Sequence, residues 1–213
     1  PMDKAAPKGR LILPQQQAIR DILEANALAL VCQETEITAA LNRLKKAPDL
    51  VICDSQIFQK AAAAIPETVP LTSFSILMAR YKGFLAAAVD GVASLTRLAD
   101  GDTVLISEGC THHRQCNDIG TVKIPHWLTE YTQKKLRFET SSGQTFPENL
   151  QKYRLIVHCG GCMLNPREML YRMKCAKDQD VPMTNYGILI AHLHGILHRS
   201  LTPFPHLAVK LKT

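Results

Sequence analysis

Short apolar runs alternate with longer helical stretches along this chain. Ala27–Cys32 (ALALVC) and Leu50–Cys53 (LVIC) are continuous apolar runs, and Pro70–Ser73 is a third short extended piece. Between them, Thr35–Lys46 reads as a charged amphipathic helix and Ser55–Ala64 as an alanine-rich one. Ile76–Leu98 reads as one long helix with few breakers. The second half repeats the scheme, with strands at Thr103–Ser107 (TVLIS), Leu155–His158 (LIVH) and Pro182–Thr184, and helices at Trp127–Lys135, Pro166–Lys177 and Ile188–Leu201. Uninterrupted apolar strands separated by helices suit a parallel sheet covered on both faces, because neither face then meets water. The pattern predicts an α/β fold of two tandem small parallel-sheet domains, each a βαβαβα unit of Rossmann-like type.

An internal repeat supports the division into halves. Val69–Leu85 (VPLTSFSILMARYKGFL) and Val181–Leu197 (VPMTNYGILIAHLHGIL) align without a gap at an offset of 112, with 8 of 17 positions identical. The strands before them also look alike, LVICDS at Leu50–Ser55 and LIVHCG at Leu155–Gly160. The Asp100–Asp102 turn marks the expected boundary. Residues 1–12 are then a linker remnant, 13–99 the first domain and 100–213 the second. Arg80 and Lys82 correspond to His192 and His194, which reads as a solvated helix face.

Composition narrows the class. The 213 residues are 46% hydrophobic and 21% charged, enough apolar material for a packed core. The net charge of +6 is small and spread along the chain, and no nucleic-acid motif accompanies it, so nucleic-acid binding is not expected. Nothing resembles a signal peptide or a membrane span, which gives a cytoplasmic expectation. In that compartment grouped cysteines point to metal or catalysis rather than disulfides. The cysteine count is seven, an odd number that a fully paired framework within one chain cannot accommodate. The chain begins at Pro1 rather than at a methionine, which reads as a piece of something longer.

Five residues stand out as candidate chemistry: Cys110, His112, His158, Cys159 and Cys162. They read Cys-Thr-His, then, 45 residues later, His-Cys-Gly-Gly-Cys. Thiolate and imidazole are ligands for zinc and for iron–sulfur centres. Cys110 follows one expected strand and Cys159 and Cys162 follow another, so a parallel sheet carries both loops to its C-terminal edge, where such folds hold ligands. Asn185 follows the third strand at the same edge. Gly160 and Gly161 allow close backbone approach, so that N–H groups face sulfur. Asn165-Pro166-Arg167-Glu168 has the form of a helix start with Asn as cap, and its partly positive end favours nearby thiolates. On spacing alone, zinc and iron–sulfur both stand: a closed Cys₃His zinc site that only braces loops, or a [4Fe–4S] cluster on three cysteines with one iron left open. A dithiol redox site at Cys159 and Cys162 is disfavoured by the Gly-Gly spacer and the third cysteine. Cys32, Cys53 and Cys175 read as bystanders, and Cys116 lies outside the signature.

These residues carry a family resemblance. The runs Ser107–Pro125 (SEGCTHHRQCNDIGTVKIP), His158–Leu170 (HCGGCMLNPREML) and Val181–Gly187 resemble the C-terminal part of HydF, the [FeFe]-hydrogenase maturation GTPase family. Ala6–Asp21, Asp49–Gln56 and Val69–Gly83 resemble that family's middle domain. The resemblance implies a dimerisation domain over 13–99 and an iron–sulfur cluster-binding domain over 100–213. It implies a [4Fe–4S] cluster on Cys110, Cys159 and Cys162, with His112 and His158 as the motif histidines. The fourth iron is left to His158, His112, Asp118, solvent or a precursor ligand. It also implies a scaffold and carrier for the two-iron subcluster precursor, with its CO, cyanide and dithiolate ligands. The expected partners are a second copy of the chain through the first domain, apo-[FeFe]-hydrogenase and two radical-SAM maturases. No GxxxxGK[ST] phosphate loop occurs in these residues. The family's GTPase domain is therefore expected before Pro1, and neither GTP binding nor enzymatic activity is expected of these residues.

Overall fold

The computed structural model describes residues 11–109 and 118–208. In chain order the elements are α1 (Leu13–Glu24), α2 (Ile37–Asn42), β1 (Val51–Cys53), α3 (Phe58–Ala64), β2 (Leu71–Ser73), α4 (Phe74–Tyr81), α5 (Leu85–Val92), β3 (Thr103–Glu108), α6 (Ile124–Thr132), β4 (Arg137–Ser142), β5 (Leu155–His158), α7 (Pro166–Asp178), β6 (Met183–Asn185), α8 (Tyr186–Leu193), α9 (Leu197–Ser200) and α10 (Pro205–Ala208). Two compact units divide the chain. One comprises Pro1–Phe74 with His194–Thr213, the other Ser75–Leu193.

The first unit is built on the parallel pair β1–β2, in which Val51 pairs with Leu71 and Cys53 with Ser73. All three β2 residues are buried, whereas Val51 and Ile52 of β1 are half-exposed. Phe58, Ala61, Leu71 and Cys53 are fully buried at its core. Burial pushes the Cys53 thiol up to about 12, so it behaves as a small hydrophobe. Helix α9 packs on β2. The Arg199 guanidinium donates to the carbonyls of Ala62, Ile65, Pro66 and Val69 at 2.7–3.2 Å, closing the end of α3 and the turn that follows it. The expected strand at Ala27–Cys32 does not form. That run is irregular and exposed, with Leu28 at 98%.

The second unit holds a four-stranded, wholly parallel sheet in the order β4-β3-β5-β6. Val104, Leu105 and Ile106 of β3 and Leu155, Ile156 and Val157 of β5 are at most 1% exposed, as strands covered on both faces must be. Burial of each such side chain contributes roughly 1.5–3 kcal/mol. The sequence pattern missed β4. Its residues, RFETSS, are mostly polar and exposed, because an edge strand has one sheet neighbour and little buried surface.

The repeat survives as matched geometry. At the offset of 112, β2 corresponds to β6, α4 to α8, and the starts of α5 and α9 to each other. Both long expected helices are broken at the same repeat position. Gly83 (φ 81°) ends α4 and Gly195 (φ 70°) ends α8, each in a left-handed conformation that favours glycine. After the break, α5 packs on β6 of the second unit and α9 on β2 of the first. Each compact unit thus takes a covering helix from the other half of the sequence, and the units are bounded at 74/75 and 193/194.

Helix α5 lies directly on β6 through Gly91, where an added Cβ would overlap the Met183 carbonyl. Thr184 Oγ1 donates to Ala88 O at 2.8 Å across the same contact. Gly91→Ala is expected to lower stability by about 2 kcal/mol through this overlap, measured by urea unfolding. A midpoint equal to wild type would contradict the close packing of α5 on β6.

Candidate metal centre

The register of the four-stranded sheet aligns Ser141, Ser107, His158 and Asn185 in one row near the C-terminal ends of β4, β3, β5 and β6. All four are buried polar residues, and Ser141 Oγ donates to Ser107 Oγ at 3.0 Å. The chain leaves β3 towards β4 on one side, while β5 lies on the other. The gap beyond β3 and β5 is therefore a topological switch point, the usual ligand position in open parallel sheets.

Directly beyond this row stands Cys159. Its amide donates to Ser107 O at 2.9 Å, and its sulfur accepts the Gly109 N–H at 3.0 Å and the Gly161 N–H at 3.3 Å. Burial raises the Cys159 thiol to about 11, against the pull of these two amides. Gly161 sits at φ 61°, and a Cβ there would lie 2.6 Å from Met169 Sδ. A side chain at this position therefore displaces the loop that presents both thiols. Gly160 keeps ordinary backbone geometry, with Ser75 3.5 Å from the position of a Cβ. Cys162 follows in the same loop, and neither thiol is in a disulfide.

His158 is fully buried beneath this loop. Its Nδ1 lies 2.8 Å from Cys159 O, and its Nε2 lies 3.2 Å from Arg172 Nη1. A carbonyl only accepts and a guanidinium only donates, so Nδ1 carries the proton and Nε2 accepts. Burial lowers the imidazole to about 4, with the charges of Arg172 and Lys82 acting in the same direction. Both ring nitrogens are engaged, and ligation through Nε2 requires the Arg172 contact to open. Arg172 is itself fully buried. Its Nε pairs with Glu168 at 2.7 Å, its Nη2 donates to Gly143 O at 2.8 Å, and its guanidinium faces the Phe146 ring.

The helix start after the loop forms as the sequence predicts: Asn165 Oδ1 accepts the Glu168 N–H at 2.8 Å, with Pro166 at the first position. Glu168 directs its carboxylate to Arg172 rather than back to the cap. Asn185 braces the far side. Its Nδ2 donates to Ser75 O at 3.0 Å and its Oδ1 caps α8 by accepting the Ile188 N–H at 2.8 Å. A buried acidic corner closes the near side, where Tyr186 donates to Glu108 at 3.2 Å. Burial and the Glu108 charge raise the Tyr186 hydroxyl. Asp118 accepts from Gly120 N, Thr121 N and Thr121 Oγ1, which starts the turn leading to α6.

Lys82 overturns the expectation of a solvated face. It is 3% exposed, and its Nζ donates to Gly161 O at 2.6 Å, to Leu164 O and, more weakly, to Cys162 O at 3.5 Å. Burial lowers its pKa, opposed by the charges of Cys162 and Cys159. Its signal in the sequence was faint: a lysine immediately before a glycine that ends a helix. Arg172 was equally hidden, one basic residue among several on α7.

The structure brings His158, Cys159, Gly160, Gly161, Cys162 and Asn185 to one sheet edge. Cys110, His112 and Cys116 lie outside the described residues, although Cys110 directly follows Gly109, whose amide contacts the Cys159 sulfur. Among the described residues no group of three or more His, Cys, Asp or Glu is arranged to hold a metal ion. Two unbridged thiols, one of them receiving two backbone N–H bonds, nevertheless suit an iron–sulfur centre, whose sulfurs are held and tuned by such bonds.

Fold and site together define an α/β protein with two free thiols in a loop at a parallel-sheet switch point. The chain belongs to the hydrogen maturase F family. The tetramerization domain of that family matches residues 86–203 and its dimerization domain residues 1–83. The two matches meet at the Gly83 turn. No curated protein matches the chain.

The buried imidazole generates a pH dependence. An unfolded histidine takes up its proton near pH 6.5, whereas His158 in the fold does so only at about 4. Its contribution is complete above about pH 6.5 and is lost as pH falls towards 4, by about 3 kcal/mol in total. Urea midpoints of the metal-free chain are expected to fall across this window, and His158→Gln to flatten the slope. Equal slopes in the two proteins would contradict a neutral, buried His158.

Proposed function

We propose that this chain is a maturation scaffold for [FeFe]-hydrogenase, acting by coordination and transfer rather than by turnover. It binds a [4Fe–4S] cluster through Cys110, Cys159 and Cys162, and holds and delivers the two-iron subcluster precursor to apo-hydrogenase. The observation that carries this reading is the Cys159–Cys162 loop of a hydrogen maturase F chain, seated at the switch point with two amides on one sulfur. When bound, a cluster on three cysteines leaves one iron able to accept a further ligand. The chain's own residues do the rest. Gly109 and Gly161 donate to the Cys159 sulfur, Arg172 keeps the His158 imidazole neutral and oriented, and Asn165 starts a helix whose positive end faces the loop. His158 tunes the site from below, and His112 remains a candidate for the fourth position. Two radical-SAM maturases supply the precursor. The site of action is the cytoplasm, where thiols stay reduced; no helix among the described residues is long and apolar enough to cross a membrane.

The first unit makes the homodimer. Leu28, Leu30 and Val31 are 98%, 58% and 47% exposed in a run that reads as a strand from sequence, and two of the three β1 residues of the same unit are half-exposed. A sheet of two strands is marginal alone, and a second copy of a chain with a matched dimerization domain is the occupant that covers such a run.

Anaerobic reconstitution with iron and sulfide tests the cluster. Wild type is expected to take up about four irons per chain with broad visible absorption, and Cys159→Ser to lose both while keeping its circular dichroism. A colourless protein with one tightly held zinc would contradict the reading and favour a structural zinc site. For the dimer, Leu28→Lys with Leu30→Lys is expected to shift sedimentation towards the monomer. An unchanged dimer would remove this segment from the interface.

A further inference from the structure

Cluster ligation by three cysteines does not itself call for a buried lysine, yet one holds the loop that presents two of them. Lys82 ends the α4 segment, immediately before the Gly83 turn. Its Nζ reaches Gly161 O at 2.6 Å and Leu164 O, with Cys162 O at 3.5 Å. Three carbonyls converge on one nitrogen. An ammonium supplies three N–H donors for them, whereas a neutral amine supplies two and would turn its lone pair against the third oxygen. The contacts bracket Cys162 on both sides, at 161 and at 164. Gly161 also donates its own N–H to the Cys159 sulfur. One cation therefore holds the Gly161 carbonyl, while the N–H of the same residue is on the Cys159 sulfur, and holds the Leu164 carbonyl beyond Cys162. Lys82 cannot slide away readily, because the left-handed Gly83 turn follows it and Leu170 of α7 lies 3.5 Å from the position of a Cβ on Gly83. An anchor for a loop alone needs hydrogen-bond donors. A buried ammonium is a costly choice unless the region it faces carries negative charge.

We propose that Lys82 is a positioning residue for the metal centre. It ties Gly161 and Leu164 so that Cys159 and Cys162 are held ready at the sheet edge, and it stands beside the bound group as a fixed positive charge that favours the more anionic state. This inference rests on the cluster reading above. A positive charge in a site of low dielectric stabilises the reduced, more negative form of an iron–sulfur centre and raises its reduction potential.

The test uses Lys82→Met and Lys82→Gln beside wild type. Lys82→Met removes charge and donors, and Lys82→Gln removes the charge but keeps a donor. After anaerobic reconstitution, Lys82→Met is expected to release iron to a chelator about tenfold faster than wild type. Lys82→Gln is expected to retain more iron than Lys82→Met. Both are expected to titrate at a more negative potential, a shift that an anchor without an electrostatic role would not produce. Release rates and potentials equal to wild type would overturn the proposal. Positioning is also read without metal. Iodoacetamide is expected to alkylate Cys159 several-fold faster in metal-free Lys82→Met than in metal-free wild type, and equal rates would overturn the positioning role. A wild-type chain that takes up no iron, together with faster alkylation in the variant, would sink the cluster reading while leaving the positioning role standing. Should neither variant fold, amine-reactive labelling of wild type decides: Lys82 is expected to be protected while surface lysines react, and equal reactivity would overturn the proposal.

Discussion

The parallel pairing of β3 with β5 is the constraint on which the rest depends. Parallel strands start at the same edge of a sheet and leave it at the same edge. Ser107 therefore stands opposite His158, and the residues after each strand, 50 apart in sequence, emerge side by side. The Gly109 amide meets the Cys159 sulfur for this reason, with no long-range design beyond the register. A slip of β5 by one residue would turn His158 to the other face and carry the Cys159 sulfur away from the Gly109 amide. Pairing with β6 extends the row to Asn185, which holds Ser75 at the start of the α4 segment.

The second requirement is that polar groups withdrawn from water find partners. At this sheet edge the demand is unusually dense. Arg172 is fully buried and distributes its donors over Glu168, His158 and Gly143. Lys82 does the same with the carbonyls of the thiol loop. These two cations fix the loop by different routes, Arg172 through the imidazole beneath it and Lys82 through its backbone carbonyls. Burial still holds the Cys159 thiol up at about 11, so it keeps its proton near neutral pH. An electropositive surrounding suits thiolate and cluster chemistry, because both are anionic.

Much of this was legible in the sequence. Apolar runs such as TVLIS and LIVH became β3 and β5 because continuous hydrophobicity suits strands buried on both faces. The repeat at an offset of 112 returned as matched strands, helices and glycine turns. The cap at Asn165 was readable because local side-chain chemistry decides it. What stayed hidden was set by tertiary context. Gly83 and Gly195 broke helices that periodicity alone ran through. Exchange of α5 and α9 between the halves left no composition signal. The polar edge strand β4 carried no apolar period, and Ala27–Cys32 carried an apolar run that forms no strand. Lys82 and Arg172 belong to residue types that are usually solvated, and only the fold turns them inward.

The proposed cluster is defined by the atoms that surround its iron. X-ray absorption at the iron edge of the anaerobically reconstituted full chain reads that environment directly. A first shell dominated by sulfur, with a clear iron–iron contribution beyond it, is the predicted result. A nitrogen- and oxygen-dominated shell around isolated iron, with no metal–metal contribution, would contradict a cluster held by Cys110, Cys159 and Cys162.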